Sequence, residues 1–286
     1  MIDTKTVANS VLEMDKQMRK SLFIMNGEPQ AKKLWENTYI KKQLDRRKNG
    51  ETFTVSDHIR GMVYSMLTSG AAWNRLEPHI DIATGQIPII DDIFYQYNVT
   101  ALQSADPTEL CEKVKALKLG TQYLKNQTEA LVKENIGKLL SIKEKYGSVD
   151  NFYQSLADKN DNLKTLVREL ATAGKPYKFA QLGEALTAEY LKNVGYDIGK
   201  PDRHIRRILG SEYLGCSMHK DVPSYEAIDI IADIAKSLNK PAAEVDYILW
   251  AYCANGFGEV CTKGKPKCME LCVAEPFCNY KDKQED

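Results

Sequence analysis

Residues 182–209, LGEALTAEYLKNVGYDIGKPDRHIRRIL, indicate the fold of this 286-residue chain. The apolar spacing predicts two helices in this stretch, over 184–194 and 203–209. Gly183 directly precedes the first helix and Asp202 directly precedes the second, where an aspartate side chain caps exposed backbone N–H groups. The sequence therefore predicts two short helices whose N-termini carry a glycine and an aspartate.

The charge of the chain is unevenly distributed around these two helices. Lys plus Arg and Asp plus Glu are equal at 39 each, so the formal net charge is zero, which is unusual for a protein that wraps nucleic acid. Residues 175–207 contain seven Lys or Arg and four Asp or Glu, a surplus of three (7 − 4). This surplus indicates local contacts with an anion, or alternatively a solvated face on which charges cluster by chance.

The rest of the chain also has helical periodicity. Further helices are predicted over 5–25, 54–69, 107–118, 122–145, 149–157, 162–173, 224–238 and 241–253. Strand patterns are nearly absent, apart from a short β-like patch at 87–90. The predicted fold class is all-α, with about ten helices.

The chain shows no pattern that predicts insertion into a membrane or secretion. It has no run of 18 apolar residues, and its N-terminal 20 residues lack the apolar centre of a signal peptide. We expect a cytoplasmic, nucleoid-associated protein with no membrane partner.

Four of the seven cysteines lie close together near the C-terminus. Cys261, Cys268, Cys272 and Cys278 have the spacing C-x6-C-x3-C-x5-C. Clustered thiols in a cytosolic protein are more typical of metal ligands than of disulfides, and four thiolates suit either zinc or an iron–sulfur cluster. Cys253 lies in an apolar helical pattern and is interpreted as a packed core thiol.

The cysteine segment and the 182–209 segment together resemble the helix-hairpin-helix (HhH-GPD) DNA glycosylase superfamily. The cysteine loop is similar to the endonuclease III type, C-x6-C-x2-C-x5-C, from which it departs by one extra residue between Cys268 and Cys272. Residues 193–196, Asn-Val-Gly-Tyr, are similar to archaeal-type 8-oxoguanine glycosylases. The resemblance implies a [4Fe-4S] cluster held by the four cysteines, with zinc as the minority alternative.

The resemblance also implies a two-domain organisation with a DNA-binding cleft between the domains. Residues 53–197 would form a six-helix barrel that carries the helix-hairpin-helix near 178–194. Residues 1–52 and 198–286 would form a second helical domain with the iron–sulfur loop at 261–278. The expected partner is double-stranded DNA with a lesion or mismatch, bound by a monomer.

By the same resemblance, Asp202 is the catalytic residue that supports cleavage of the N-glycosidic bond. The implied DNA-binding residues of this region are Gln181, Leu182, Gly183, Glu184, Thr187, Arg203 and His204. Two positions depart from the family pattern: Gln181 replaces the first hairpin glycine, and Ala185 replaces the lysine of members that form a Schiff base. Without an amine at position 185, the covalent lyase route is lost there, so the sequence predicts a monofunctional glycosylase. Taken alone, Asp202 is better interpreted as a plain helix cap. The hairpin before it and the cysteine loop after it, in the order and separation of the family, favour the catalytic interpretation instead.

A further DNA contact is predicted after the helix at 54–69. Ser69, Trp73 and Asn74 are candidates to fill the gap left by a flipped base, since an aromatic ring stacks and an amide bonds the orphan base. An alternative interpretation of Trp73 is a core residue at the end of a helix. Two alternatives to a repair glycosylase stay open: a non-catalytic DNA-binding or damage-sensing protein of the same fold, and an enzyme of this fold that acts on modified bases in phage or foreign DNA.

Overall fold

A computed structural model describes residues 3–68, 73–157 and 159–280. The chain divides into two compact units. The terminal unit comprises residues 1–36 and 197–286, and the central unit comprises 37–196. The central unit thus begins sixteen residues before the expected residue 53, because the helix at Tyr39–Lys48 packs on the helix at Glu184–Asn193.

The terminal unit has a helical core with one very short antiparallel hairpin, Ile24–Met25 with Glu28–Pro29. The first helix of the chain packs against two long C-terminal helices, and Val11, Ile231 and Leu249 are fully buried among them. The α-helices of this unit are α1 (Thr4–Gln17), α13 (Arg203–Ile208), α14 (Ser224–Leu238), α15 (Ala242–Cys253) and α16 (Cys268–Leu271).

The central unit contains the remaining described α-helices. They are α2 (Tyr39–Lys48), α3 (Val55–Leu67), α4 (Trp73–Leu76), α5 (Pro88–Ile93), α6 (Val99–Gln103), α7 (Pro107–Ala116), α8 (Leu124–Ala130), α9 (Ile136–Tyr146), α10 (Val149–Leu156), α11 (Lys164–Ala171) and α12 (Glu184–Asn193). A π-helical turn at Leu131–Asn135 joins α8 and α9, which the sequence predicted as one helix over 122–145.

The prediction of an all-α fold class is confirmed. The β-like patch at 87–90 forms the start of α5 instead, because Pro88 occupies the first helical turn, where its fixed φ is favourable and its missing N–H is not needed. The helix predicted over 54–69 is α3, which begins with a reciprocal capping box between Thr54 and Asp57. In the described part of the chain, no helix has the length and apolar character needed to cross a bilayer.

Helix α12, which follows the hairpin, is fixed by close packing against α3. Gly61 allows this approach, since a Cβ there would lie 2.9 Å from a methyl group of Val194. The Tyr190 hydroxyl is 2.7 Å from Nδ1 of the fully buried His58 and 2.8 Å from the hydroxyl of Tyr153. These hydrogen bonds and the tight packing hold α12 in one register on α3.

Candidate functional site

The segment before α12 turns sharply at Gln181. This residue has a φ of 60°, in the left-handed region that favours glycine. The glutamine thus takes the conformation for which a glycine is suited, and the hairpin is formed although the glycine is missing. Gly183 is the N-cap of α12 with ordinary extended backbone, and a Cβ at this position would meet no atom within 4 Å.

The hairpin is held from the inside by side chains of α9 and the π-helical turn before it. Asn135 forms two hydrogen bonds with the backbone of Ala180, at 3.0 Å to the carbonyl oxygen and 2.8 Å from the N–H. The ammonium group of Lys138 donates to the carbonyl oxygen of Lys178. These contacts link residues about 40 positions apart and fix the loop to the central unit.

The outer side of the hairpin presents unpaired backbone donors. Among the described residues, the N–H groups of Gln181, Gly183, Glu184 and Ala185 find no acceptor. Exposed N–H groups at a helix N-terminus, together with the positive end of the helix dipole, form a general binding site for an anion such as phosphate.

The other hairpin residues predicted to bind DNA differ in accessibility. Leu182 and Thr187 are buried, with exposed fractions of 1% and 0%, so their side chains contribute through packing. Glu184 is half-buried in the first turn of α12, and Gln181 and Gly183 are exposed. The exposed part of the predicted surface is therefore mainly backbone.

We expect Gln181→Gly to stabilise the protein, because a left-handed non-glycine residue costs about 1–2 kcal/mol. The greater flexibility of glycine in the unfolded chain offsets about 0.5–1 kcal/mol of this gain. Thermal unfolding should show a net increase of about 0.5–1 kcal/mol in the free energy of unfolding. Gln181→Ala is the matched control, since it keeps the Cβ and should give no increase. Equal stability of the two variants would contradict the strain assigned to Gln181.

Asp202 lies in the terminal unit and is the N-cap of α13. Its Oδ1 atom accepts hydrogen bonds from the N–H groups of His204, at 2.8 Å, and Ile205, at 3.2 Å. The side chain is half-buried, and within the described residues Oδ2 accepts no hydrogen bond. The structure thus confirms the cap, and the cap fixes the carboxylate while leaving one oxygen open to a ligand.

The remaining polar residues of α13 have different surroundings. Arg203 is exposed, whereas His204 is half-buried and burial lowers its pKa, against the opposing effect of the Asp202 carboxylate. Nδ1 of His204 is buried without a hydrogen-bond partner. At the other end of the helix, the guanidinium group of Arg207 donates to the carbonyl oxygen of Cys261 and lies over the ring of Tyr213, 5.3 Å from its centroid.

The four C-terminal cysteines are free thiols in one loop of the terminal unit. Burial raises the pKa of Cys278 to about 12, and the nearby Cys261, Cys272 and Cys268 thiols raise it as well. The thiols are thus electrostatic neighbours. Across residues 3–68, 73–157 and 159–280, however, no three or more His, Cys, Asp and Glu side chains are arranged closely enough to hold a metal ion. An all-sulfur donor set is chemically suited to a soft metal centre.

The predicted contact with the flipped-base gap stays a prediction. Ser69 lies outside the described residues. Trp73 begins α4 and is half-buried, and Asn74 next to it is exposed. The exposed amide fits a contact with DNA, and the half-buried ring fits both stacking and a role in packing.

The residues that hold the hairpin and the far end of α13 were not predicted from the sequence. Asn135, Lys138 and Lys178 surround the hairpin, and Arg207 contacts the cysteine loop. All are common polar residues without a motif, and their contacts are made across the chain or to backbone carbonyls. Such contacts leave no periodic signal in a single sequence.

Comparisons with known proteins agree with the resemblance to glycosylases. No protein-family model matches the chain. The chain is 28% identical over 136 residues to the 8-oxoguanine DNA glycosylase/AP lyase of Aquifex aeolicus (strain VF5). The match covers 46% of this chain and spans about half, 55%, of that relative's length. This similarity is consistent with a DNA glycosylase of the helix-hairpin-helix type.

Among solved structures, this chain matches the Methanocaldococcus jannaschii 8-oxoguanine glycosylase/lyase in complex with a 15mer DNA containing 8-oxoguanine. The TM-score is 0.47 at 18% sequence identity, over 84% of this chain and 96% of that chain.

Proposed function

We propose that this protein is a DNA glycosylase that removes a damaged base from duplex DNA, with 8-oxoguanine as the first candidate. The observation that carries the proposal is Asp202, a half-buried carboxylate fixed through Oδ1 by the N-terminus of α13 and open at Oδ2. The similarity to an 8-oxoguanine DNA glycosylase/AP lyase supports the choice of reaction and of first substrate.

The hairpin before α12 supplies the contact with DNA in this proposal. The N–H groups of Gln181, Gly183, Glu184 and Ala185 donate to a backbone phosphate, and the missing side chain of Gly183 leaves room for it. A site built from backbone N–H donors binds a phosphate without needing many basic side chains. A chain with a formal net charge of zero is therefore able to bind DNA locally.

The chemistry is hydrolysis of the bond between the base and C1′ of the sugar. A base held inside the duplex is out of reach, so the nucleotide is flipped out of the stack. As the C1′–N bond breaks, its electron pair leaves with the base, and the negative Asp202 carboxylate stabilises the positive charge that develops on the sugar. Water then attacks C1′ and gives up a proton, which Asp202 is able to accept, and the departing base gains a proton from solvent.

The product of this reaction is an abasic site in an intact strand. Formation of a Schiff base requires an amine at C1′, and position 185 carries alanine, which has none. The nearby amine of Lys178 donates hydrogen bonds to the backbone carbonyl oxygens of Phe179 and Leu182. We therefore propose a monofunctional enzyme, in contrast to the relative, which is named as a glycosylase and AP lyase.

We further propose that Cys261, Cys268, Cys272 and Cys278 hold a [4Fe-4S] cluster, with zinc as the alternative metal. When bound, a cluster of this kind would stabilise the C-terminal loop without taking part in base removal. The all-thiol donor set, with four free cysteines within one short C-terminal loop, supports this proposal.

Anaerobically purified protein should contain about four iron and four sulfide per chain by elemental and sulfide analysis. Cys272→Ser should lose most of the iron, because serine is a poor ligand for a soft metal. Cys216→Ser is the matched control, since this half-buried thiol lies in the same unit outside the four-cysteine loop, and it should keep the iron. One zinc per chain would select the alternative metal, and full metal content in Cys272→Ser would contradict the assigned ligands.

The proposed function is tested by measuring free base. Purified protein is mixed with a panel of duplexes, each with one lesion or mismatch, and the released bases are identified by mass spectrometry. We expect release of a damaged base, with 8-oxoguanine tested first. Duplex binding without release of any base would contradict the proposal and favour a damage-sensing protein. Release of base only from DNA with modified phage bases would contradict damaged bases as the substrate and favour modified bases instead.

A further inference from the structure

Residues 197–201, called the connecting segment below, lead directly to Asp202 within the terminal unit. Ile198 is only 1% exposed, and Gly199 is buried beside it. At the end of the segment, the N–H of Asp202 donates to the carbonyl oxygen of Lys200 at 2.8 Å. The segment is thus packed into the unit just before the residue that carries the proposed catalytic carboxylate.

Gly199 lies in close contact with α14. A Cβ at position 199 would lie 2.5 Å from Cδ1 of Ile231, 2.9 Å from its Cγ2 and 3.1 Å from its Cβ. Carbon atoms in van der Waals contact are about 3.5–4.0 Å apart, so even a methyl group here would force a displacement of about 1 Å. The connecting segment follows this path because residue 199 has no side chain.

Ile231 has little room to move away from a larger residue at position 199. It is fully buried in the core among α1, α14 and α15, and such cores are densely packed. A β-branched side chain also has one strongly preferred rotamer in a helix. The Cβ of Ile231 is one of the three close atoms, and no side-chain rotation moves it. A side chain at position 199 would therefore displace the connecting segment.

The start of the connecting segment is held by a second contact. Oδ1 of Asp197 accepts a hydrogen bond from the N–H of Ala243 at 2.9 Å. Ala243 lies in the first turn of α15, whose N-cap residue, Pro241, has no side-chain acceptor. Asp197 thus supplies from outside the helix the acceptor that an N-cap side chain usually provides. The segment is fixed to α15 at its start and to α14 in its middle.

Asp202 is also fixed on its other side, by the cap of α13. Ile205, whose N–H donates to Oδ1 of Asp202, is fully buried in the same core. The carboxylate is therefore held between a packed segment and a packed helix. A charge that stabilises a transition state acts only at the right place, and a displacement of about 1 Å costs about 100-fold in rate.

We propose that Gly199 and Asp197 are positioning residues, which set the place of the Asp202 carboxylate through the connecting segment. The proposal rests on the proposed catalytic role of Asp202. The two residues should affect the rate of base release and leave the affinity for duplex unchanged, because the hairpin assigned to DNA binding belongs to the central unit.

Gly199→Ala should lower the single-turnover rate of base release by about 10–100-fold and change the Kd for duplex less than twofold. Gly137→Ala is the control for the substitution, since a Cβ there would meet no atom within 4 Å. Val7→Ala is the control for stability, because this buried residue of α1 belongs to the same core but lies outside the connecting segment. Both controls should keep the wild-type rate. An unchanged rate in Gly199→Ala, or an equal loss in Val7→Ala, would overturn the proposal.

A double variant shows whether the effect of Gly199 passes through Asp202. Gly199→Ala combined with Asp202→Asn should release base no more slowly than Asp202→Asn alone, because displacement of the side chain has no further effect once its charge is lost. A further loss as large as that of Gly199→Ala alone would show that Gly199 acts elsewhere, and would contradict the proposal.

Asp197 provides a test that does not depend on the folding of Gly199→Ala. Asp197→Ala loses the acceptor for the N–H of Ala243 and should lower the rate of base release several-fold at unchanged Kd. Asp197→Asn keeps an acceptor oxygen and should keep the wild-type rate. A wild-type rate in Asp197→Ala, or the same loss in Asp197→Asn, would refute the positioning role. Failure of the wild type to release any base would instead refute the proposed function.

Discussion

Asp202→Asn should lower the single-turnover rate of base release by about 10²–10⁴-fold, the range for loss of a charged group that acts in the transition state. Asparagine is as good an N-cap as aspartate, so its side-chain oxygen should still accept from the N–H groups of His204 and Ile205. The fold and the affinity for duplex should therefore be retained. The measurement is the release of base from excess enzyme and a single-lesion duplex.

Asp221→Asn is the matched control for this prediction. Asp221 is an exposed carboxylate of the same unit, paired with Arg206, and it makes no contact with Asp202. Loss of the Asp221 carboxylate should change the single-turnover rate of base release less than twofold. A rate for Asp202→Asn within tenfold of the wild type would show that the residue is only a helix cap.

Ala185→Lys should convert the enzyme into one that forms a covalent bond with DNA. Position 185 is the second residue of α12 and is half-buried. Lysine is a good helix former, and the partial exposure of the position lets the long side chain extend into solvent. The new amine would attack C1′ in place of water, displace the base and form an imine. Borohydride should then trap a protein–DNA adduct that the wild type does not form.

Ala185→Gln is the control for size and polarity, since an amide cannot form the imine. It should release base without any adduct. Adducts formed by the wild type would contradict the monofunctional proposal. An Ala185→Lys variant that still releases base but forms no adduct would show that position 185 does not face C1′.

The helices that the sequence predicted well are those with clear apolar periodicity and capping residues. The helix expected over 224–238 is found at Ser224–Leu238, and the one expected over 149–157 at Val149–Leu156. Helix α2 was missed because its sequence, YIKKQLDRRK, is mostly charged and has only Tyr39 and Gln43 buried. Its place is set by packing on α12 and by hydrogen bonds from Arg47 to the carbonyl oxygen of Val194, which are contacts distant in sequence.

The features of the candidate site that depend on local sequence were predictable from the chain. Asp202 before a helix is a local pattern, and the structure shows the cap that this pattern predicts. Gln181 departs from the family pattern at the first hairpin glycine, but the residue adopts the left-handed conformation without a glycine. The reason is tertiary, since Asn135, Lys138 and Lys178 fix the carbonyls on both sides of the turn.

The central claim is that the chain releases a base by hydrolysis and leaves the strand intact. The most direct test incubates the wild-type protein with end-labelled duplex containing 8-oxoguanine and analyses each sample with and without hot alkali. We predict strand breaks only after alkali, in an amount equal to the released base. Breaks of the same amount without alkali would contradict the account, because they would require the covalent route that Ala185 excludes at its position.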